Sequence, residues 1–248
     1  MNSQQNWYKT FFNGLALEVW TTVITPEYTN AEVQFIKELI YNSTGSNILD
    51  VPCGNGRHSI ALAKEGYPVT SIDIAEEYIC NLRDITAKEL LPITPIQADI
   101  LEYELTGEFD LALCLGNSFS YFNYYLLLEF ARKINNALSK GGSFLVNTGA
   151  IAESILPTVQ QKDWIEVEDI LLLSERCYHS EDSVVQSNYR IIKQGQTEIK
   201  TAYHYVFTLA EIRRLLAEAG FSEIKQYGAL DKSPYKLGDR QAYIVAKK

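Results

Sequence analysis

Ile48-Leu49-Asp50-Val51-Pro52-Cys53-Gly54-Asn55-Gly56-Arg57-His58 is the stretch that decides the fold. Residues 47–51 form a short β-rich apolar run, and a helical pattern starts around residue 59 and stops at Gly66. Between them lies a turn carrying Gly54 and Gly56. Glycine there lets the backbone come close to a ligand, and the following helix presents unsatisfied N–H groups to whatever sits above it. Downstream, 68–72 reads as a second strand ending at Asp73, and 93–98 as a third ending at Asp99. The run 109–115 is nearly continuous in apolar residues, as suits a strand covered on both faces. Residues 143–146 form a fifth strand. Helical patterns fill 76–90 and the stretch after Asn123, the latter ended by Gly141-Gly142. Alternating β and α units with short turns specify a doubly wound, mostly parallel sheet with helices on both faces. Upstream, Thr29-Asn30-Ala31-Glu32 reads as a capping box opening a helix through Val33, Ile36 and Ile40.

The rhythm changes between residues 164 and 207. Segments 171–179, 184–193 and 198–207 read as three antiparallel strands, with turns at Glu181-Asp182-Ser183 and Gln194-Gly195-Gln196. A second capping box, Thr208-Leu209-Ala210-Glu211, opens a last helix closed by Gly220. Strands at 221–227 and 241–246 then bring the main sheet to seven. The organisation expected is an N-terminal lid segment (1–28), a core from 29–150 and 208–248, and an inserted β meander (151–207) capping the substrate side.

The chain has 248 residues, 22 Lys+Arg against 31 Asp+Glu, and a formal net charge of −9. Such a balance disfavours nucleic acid and anionic membrane surfaces as partners. The four cysteines form no C-x-x-C pair and there are three histidines, so no metal site is expected. The polar start lacks a signal peptide's apolar core and no apolar stretch reaches spanning length, so a reduced cytoplasmic compartment is expected.

In open α/β sheets ligands bind beyond the strand C-termini. A carboxylate at Asp73 suits the two hydroxyls of a ribose, and one at Asp99 suits an exocyclic amine of a base. Leu115-Gly116-Asn117 brings a small residue and an amide to the same rim. The set points to a ligand containing adenosine. A nicotinamide site wants G-x-G-x-x-G, whereas Ser59 stands in the third position here. Asp50, at the start of the turn, repels a pyrophosphate and attracts an ammonium group. Adenosine, no phosphate and an amino-acid tail describe S-adenosylmethionine.

These residues resemble a class I S-adenosylmethionine-dependent methyltransferase. The family's first motif, D-x-G-x-G-x-G, runs here as Asp50-Val51-Pro52-Cys53-Gly54-Asn55-Gly56, with Pro52 in place of the first glycine. The form D-x-P-C-G-x-G-R-H is similar to that of a small-molecule and uncharacterised bacterial branch. The resemblance implies a Rossmann-like methyltransferase fold and a cofactor site of Asp50, Cys53, Gly54, Gly56, Arg57, Asp73, Ile74, Asp99, Ile100, Leu115 and Asn117. Asp50 would face the methionine end, Asp73 the ribose, and Asp99 with Ile100 the adenine. The Asn-Pro-Pro-Tyr motif used on nucleobases is absent, with Asn117-Ser118-Phe119-Ser120 in its place.

Methyl transfer from a sulfonium is an in-line displacement that needs placement and a dry site rather than a metal. Aromatic material for an acceptor pocket lies at Tyr8, Phe12, Trp20, Phe119, Tyr121, Tyr203 and Tyr205. The candidate bases are His58, which also reads as a structural helix-start residue, and His204, which alternation points away from Tyr203 and Tyr205; neither is assigned. Arg57 reads as an anchor for an acceptor carboxylate or as a solvated helix-start residue, and Cys53 as a packing residue of the turn. The expected activity is methyl transfer to a small molecule. The alternatives are a non-catalytic cofactor binder and a nicotinamide-dependent oxidoreductase. The acceptor, the atom methylated and the oligomeric state are not legible.

Overall fold

A computed structural model describes residues 6–40 and 46–248. Two short helices, α1 (Tyr8–Phe11) and α2 (Gly14–Thr22), precede α3 (Pro26–Leu39). The main unit then runs β1 (Ile48–Asp50), α4 (Arg57–Lys64), β2 (Val69–Asp73), α5 (Glu76–Glu89), β3 (Ile93–Gln97), β4 (Phe109–Cys114), α6 (Tyr124–Ala137) and β5 (Leu138–Thr148). A 3-10 turn at Ser118–Tyr121 follows β4. After the short helix α7 (Ala152–Ile155) come β6 (Lys162–Val167), β7 (Ile170–His179), β8 (Val184–Lys193) and β9 (Gln196–Tyr205). The helix α8 (Leu209–Glu218) and strands β10 (Glu223–Tyr227) and β11 (Ala242–Lys247) complete the chain.

The main sheet has seven strands in the order β10-β11-β5-β4-β1-β2-β3. All neighbours are parallel except β11, which runs antiparallel to both β5 and β10. This is the doubly wound sheet expected from the sequence. The chain order turns back between β1 and β4, so β1 and β4 flank the switch point where a crevice opens. The strands β6-β7-β8-β9 form a separate antiparallel sheet. Its two chain connections lie together, where Ile151 pairs with Phe207 and the Ala152 N–H donates to the Phe207 carbonyl (2.9 Å).

Several local expectations are corrected. Helix α3 begins at Pro26, with the Thr25 hydroxyl accepting from the Tyr28 N–H (3.2 Å). Proline's fixed φ suits the first helical position, so Thr29 and Glu32 lie inside the helix and form no capping box. Gly141-Gly142 does not stop α6, which ends at Ala137; both glycines lie within β5, where the register against β4 shifts. The inserted sheet has four strands, not three. The additional one, β6, is an edge strand exposing Trp164 and Ile165, so it lacks clean alternation. The box at Thr208 and Glu211 forms as expected.

Candidate active site

A cleft of about 800 Å³ opens beyond the C-terminal ends of β1, β2 and β4, a size suited to a small-molecule site. The floor is the turn after β1. Gly54 has a left-handed backbone (φ 54°), and a Cβ there would meet nothing within 4 Å, so the turn offers open space to a ligand. Gly56 is different. It is not on the cleft wall, and a Cβ there would come within 2.7 Å of the buried Leu82 side chain. It lets α4 pack on α5 and corrects the expectation that both glycines face the cofactor.

Asp73 closes β2 and is buried at the cleft wall. Its two oxygens accept one backbone N–H each, from Gly54 (2.7 Å) and Ala75 (2.9 Å). Burial pushes its carboxyl up to about 6, against the pull of those two N–H groups. Each oxygen keeps lone-pair capacity for a hydroxyl of a ligand. Ile74, Ile100, Leu115 and Cys53 supply apolar wall. Burial, followed by the nearby Asp73 and Asp50, holds the Cys53 thiol protonated, so it packs rather than attacks.

Asp50 does not reach the wall. Its carboxylate is buried below the turn and accepts from the Ser59 hydroxyl (2.6 Å), which itself accepts from Ser71 (2.8 Å). The serine in the third-glycine position thus engages the acid expected to face the cofactor. Asp99 lies on the wall but is already engaged. Its Oδ1 accepts from the Leu101 N–H (3.0 Å), while Oδ2 meets Lys9 Nζ at 2.7 Å and the Tyr8 hydroxyl at 3.5 Å. Asn117, left-handed at φ 71°, spends its carbonyl on Thr148 Oγ1 (2.8 Å) and the N–H groups of Gly149 (2.9 Å) and Ala150 (3.2 Å). That ties the end of β4 to the end of β5.

A second wall joins Arg57 and His58, both candidates in the sequence, to Glu32, Tyr28, Tyr243 and Gln241, which the sequence alone places at no site. Glu32 of α3 is buried, and its Oε2 meets Arg57 Nη1 at 2.6 Å and His58 Nε2 at 3.0 Å. Its Oε1 accepts from the Tyr243 hydroxyl (3.2 Å), which contacts the Tyr28 hydroxyl (2.7 Å). Gln241 Nε2 donates to both phenols, at 2.6 Å to Tyr28 and 3.1 Å to Tyr243. Burial pushes the Glu32 carboxyl up, but His58 and Arg57 outweigh it and hold it below the ordinary range. Tyr28, Glu32, Arg57, His58, Arg240 and Gln241 all line the cleft. Arg57 is therefore an ion-paired wall residue, not a solvated one. The one sequence signal for Glu32 in this wall is an acid on the buried stripe of α3, which by local pattern alone reads as part of a cap.

Of the expected acceptor residues, Tyr8, Phe12, Trp20 and Tyr121 line the cleft, and Phe119, Tyr203 and Tyr205 do not. Phe119 packs into the core against Phe144 (6.1 Å between ring centres). Along β9 the inward-facing residue is His204, whose ring lies 5.4 Å from Trp7 and 5.6 Å from Tyr121. Tyr203 and Tyr205 alternate away from it. Burial, with Arg176, pushes His204 down to about 4, so it is neutral and packed, not a base at the reacting centre. Among the described residues no cluster of acids, histidines and cysteines could hold a metal ion, and no helix is long and apolar enough to cross a membrane.

Sheet order, glycine turn and strand-end acids define an α/β protein with an open cleft at its switch point. Residues 48–142 match the methyltransferase domain family model. The chain is 25% identical over 245 residues to a glycine/sarcosine N-methyltransferase of Aphanothece halophytica, covering 94% of this chain and 88% of the relative. It shares its fold with the CcbJ methyltransferase of Streptomyces caelestis (TM-score 0.83, 14% identity, 96% and 98% of the two chains). It also shares it with the sugar N-methyltransferase KedS8 of a Streptoalloteichus species (TM-score 0.71, 21% identity, 95% and 93%). The chain thus carries a methyltransferase domain and shares its fold with S-adenosylmethionine-dependent methyltransferases. Neighbours of the same fold bind S-adenosylmethionine, and the open backbone at Gly54 beside the spare lone pairs of Asp73 fits such a ligand.

Proposed function

We propose that this enzyme transfers a methyl group from S-adenosylmethionine to the nitrogen of a small amine. Nitrogen is the acceptor atom named for both the glycine/sarcosine relative and the sugar N-methyltransferase. The observation that carries the reading is one continuous cleft with two unlike halves. The turn at Gly54 with Asp73, Ile74 and Ile100 suits adenosine. Tyr28, Asn147, Arg240 and Gln241 make a polar wall suited to a small hydrophilic acceptor.

In this reading Asp73 accepts the ribose hydroxyls, Gly54 lets the ligand lie against the turn, and Ile74 and Ile100 flank the base beside Asp99. Tyr8, Phe12, Trp20 and Tyr121 exclude water from the reacting centre, where their ring faces favour a cation. When bound, the cofactor supplies an electrophilic methyl on a positively charged sulfur. The chain then has only to present a neutral amine. Glu32 is a poor base for deprotonating an ammonium. An α-ammonium titrates at about 8, and pairing with His58 and Arg57 holds the Glu32 carboxyl below the ordinary carboxylate range, far from a match. Its role is to hold Arg57, His58 and Tyr243 in place, and the acceptor enters with its proton already lost to water.

The test is incubation of the protein with methyl-labelled S-adenosylmethionine and glycine, sarcosine, amino sugars or a metabolite extract, followed by mass spectrometry. Label on nitrogen supports the reading. Retention of S-adenosylhomocysteine without any labelled product would instead favour a non-catalytic binder.

A further inference from the structure

Helices α1 and α2 form the wall of the cleft opposite the strand ends, through Tyr8, Phe12 and Trp20. They have 4 and 9 residues, too short to hold a position by helix formation alone. Something else must fix them, and the inserted sheet does so on their far side. Along β9 the residues facing them are Glu198, Lys200, Ala202 and His204, one in two, as a strand requires. Glu198 Oε2 accepts from the Leu15 N–H at 2.6 Å, near the start of α2. Lys200 Nζ donates to Asn13 Oδ1 (2.7 Å) and to the Thr10 carbonyl (3.3 Å), at the joint between the two helices. From β8, Lys193 pairs with Glu18, and Tyr189 meets Trp20 and Phe11 edge-on (5.2 and 5.9 Å). Gly14 in that joint is left-handed (φ 57°), and a Cβ there would strike Glu198 at 2.7 Å. On the cleft side the helices are tied once more, by Lys9 and Tyr8 to Asp99.

We infer that the inserted sheet is a buttress that holds α1–α2 closed over the cofactor, with Glu198 as positioning residue and the Lys9–Asp99 pair as latch, so that it governs cofactor release without touching the ligand. This rests on the cofactor reading above and corrects the expectation that the insert caps the substrate directly. A ligand in the cleft lies between the strand ends, which are fixed in the core, and these helices. The helices are the wall that can move.

Release of S-adenosylhomocysteine from the full-length protein, followed by stopped-flow displacement, tests the inference. Glu198→Ala removes a charge-assisted acceptor and should release the ligand roughly tenfold faster or more, with Glu198→Gln recovering part of the loss. Lys9→Met, at the opposite end of the helices, should also speed release, and it serves if Glu198→Ala fails to fold. Ile199→Ala, on the outward face of the same strand at 67% exposure, should release at the wild-type rate. Hydrogen exchange of residues 8–22 should slow on adding S-adenosylhomocysteine to wild type, and less in Glu198→Ala. Wild-type release rates in folded Glu198→Ala and Lys9→Met would overturn the buttress and leave the cofactor reading standing. A wild-type protein that takes up no S-adenosylhomocysteine would overturn both.

Discussion

The two halves of the cleft are built by different means. The Gly54 and Asp73 half comes from consecutive β-α units, each delivering one residue at a strand's end, so a backbone repeat sets its geometry. The half around Glu32 joins α3, the start of α4 and the last strand β11, which are remote in sequence and meet only through packing. The first half has oxygens and open backbone to spare for a ligand. In the second, each Glu32 oxygen already has a protein partner. Glu32 and its partners are thus a frame that holds the acceptor wall of Tyr28, Arg240 and Gln241 in place, and the half with unsatisfied groups is the receptor for the cofactor.

Removing Glu32 breaks the frame and should give the largest effect. Glu32→Ala leaves Arg57 without its buried counter-charge and Tyr243 without its acceptor, at a cost of about 3–5 kcal/mol in urea unfolding. Glu32→Gln, which keeps an acceptor oxygen, should cost less.

The two motif glycines sharpen the contrast next. Gly56→Ala drives a Cβ into Leu82 at a left-handed position and should destabilise the fold by about 3 kcal/mol, with Leu82→Ala recovering part of that in the double variant. Gly54→Ala has space, so only backbone strain of about 1 kcal/mol acts on stability, yet the methyl sits where the ligand must lie. Denaturation and S-adenosylhomocysteine calorimetry should therefore rank the two variants in opposite orders. Equal ranking would remove the distinction between packing glycine and cradle glycine. Asp73→Ala should weaken S-adenosylhomocysteine binding by about 1–3 kcal/mol, and wild-type affinity would contradict the ribose assignment.

The same contrast explains what the sequence can and cannot tell. Gly54, Asp73, Ile74, Ile100 and Asn117 are legible because β-α alternation puts strand ends on one rim, whatever the side chains elsewhere do. For Asp50 the local pattern finds the right turn but the wrong side of it, because nothing local says that Ser59 will take its carboxylate. For Tyr203 and Tyr205 it fails because alternation gives two faces and no statement of which one meets the domain. Only His204 against Trp7 and Tyr121 decides that. Tyr28, Glu32, Arg240 and Gln241 carry no shared motif, and their meeting depends on how β11 enters beside β5.

The smallest predicted effect separates receptor from frame by pH. Asp73 titrates near 6 against an ordinary 3.8, so between those values the native state without ligand binds more protons than the unfolded chain. The stability Asp73 contributes is full below about 4 and is lost as pH rises through 6. Asp50, also raised by burial, acts with the same sign. Glu32 has the opposite sign: its lowered carboxyl contributes stability above 4.5 that is lost only as pH falls below it. The window from 4.5 to 6.5 therefore reports the raised acids and, with the opposite sign, His204, whose lowered imidazole lies away from the cleft lining and cancels between loaded and ligand-free protein, and it leaves the frame unchanged. A ribose hydroxyl prefers the charged Asp73 as acceptor. Affinity for S-adenosylhomocysteine should then fall as pH drops through 6, by at most about tenfold per unit. The gap in melting temperature between loaded and ligand-free protein should widen from pH 4.5 to 6.5. Because Asp50 contributes equally to both forms, it cancels in that gap. Asp73→Ala should make the gap flat with pH, and a gap that still widens in that variant would assign the proton to another group.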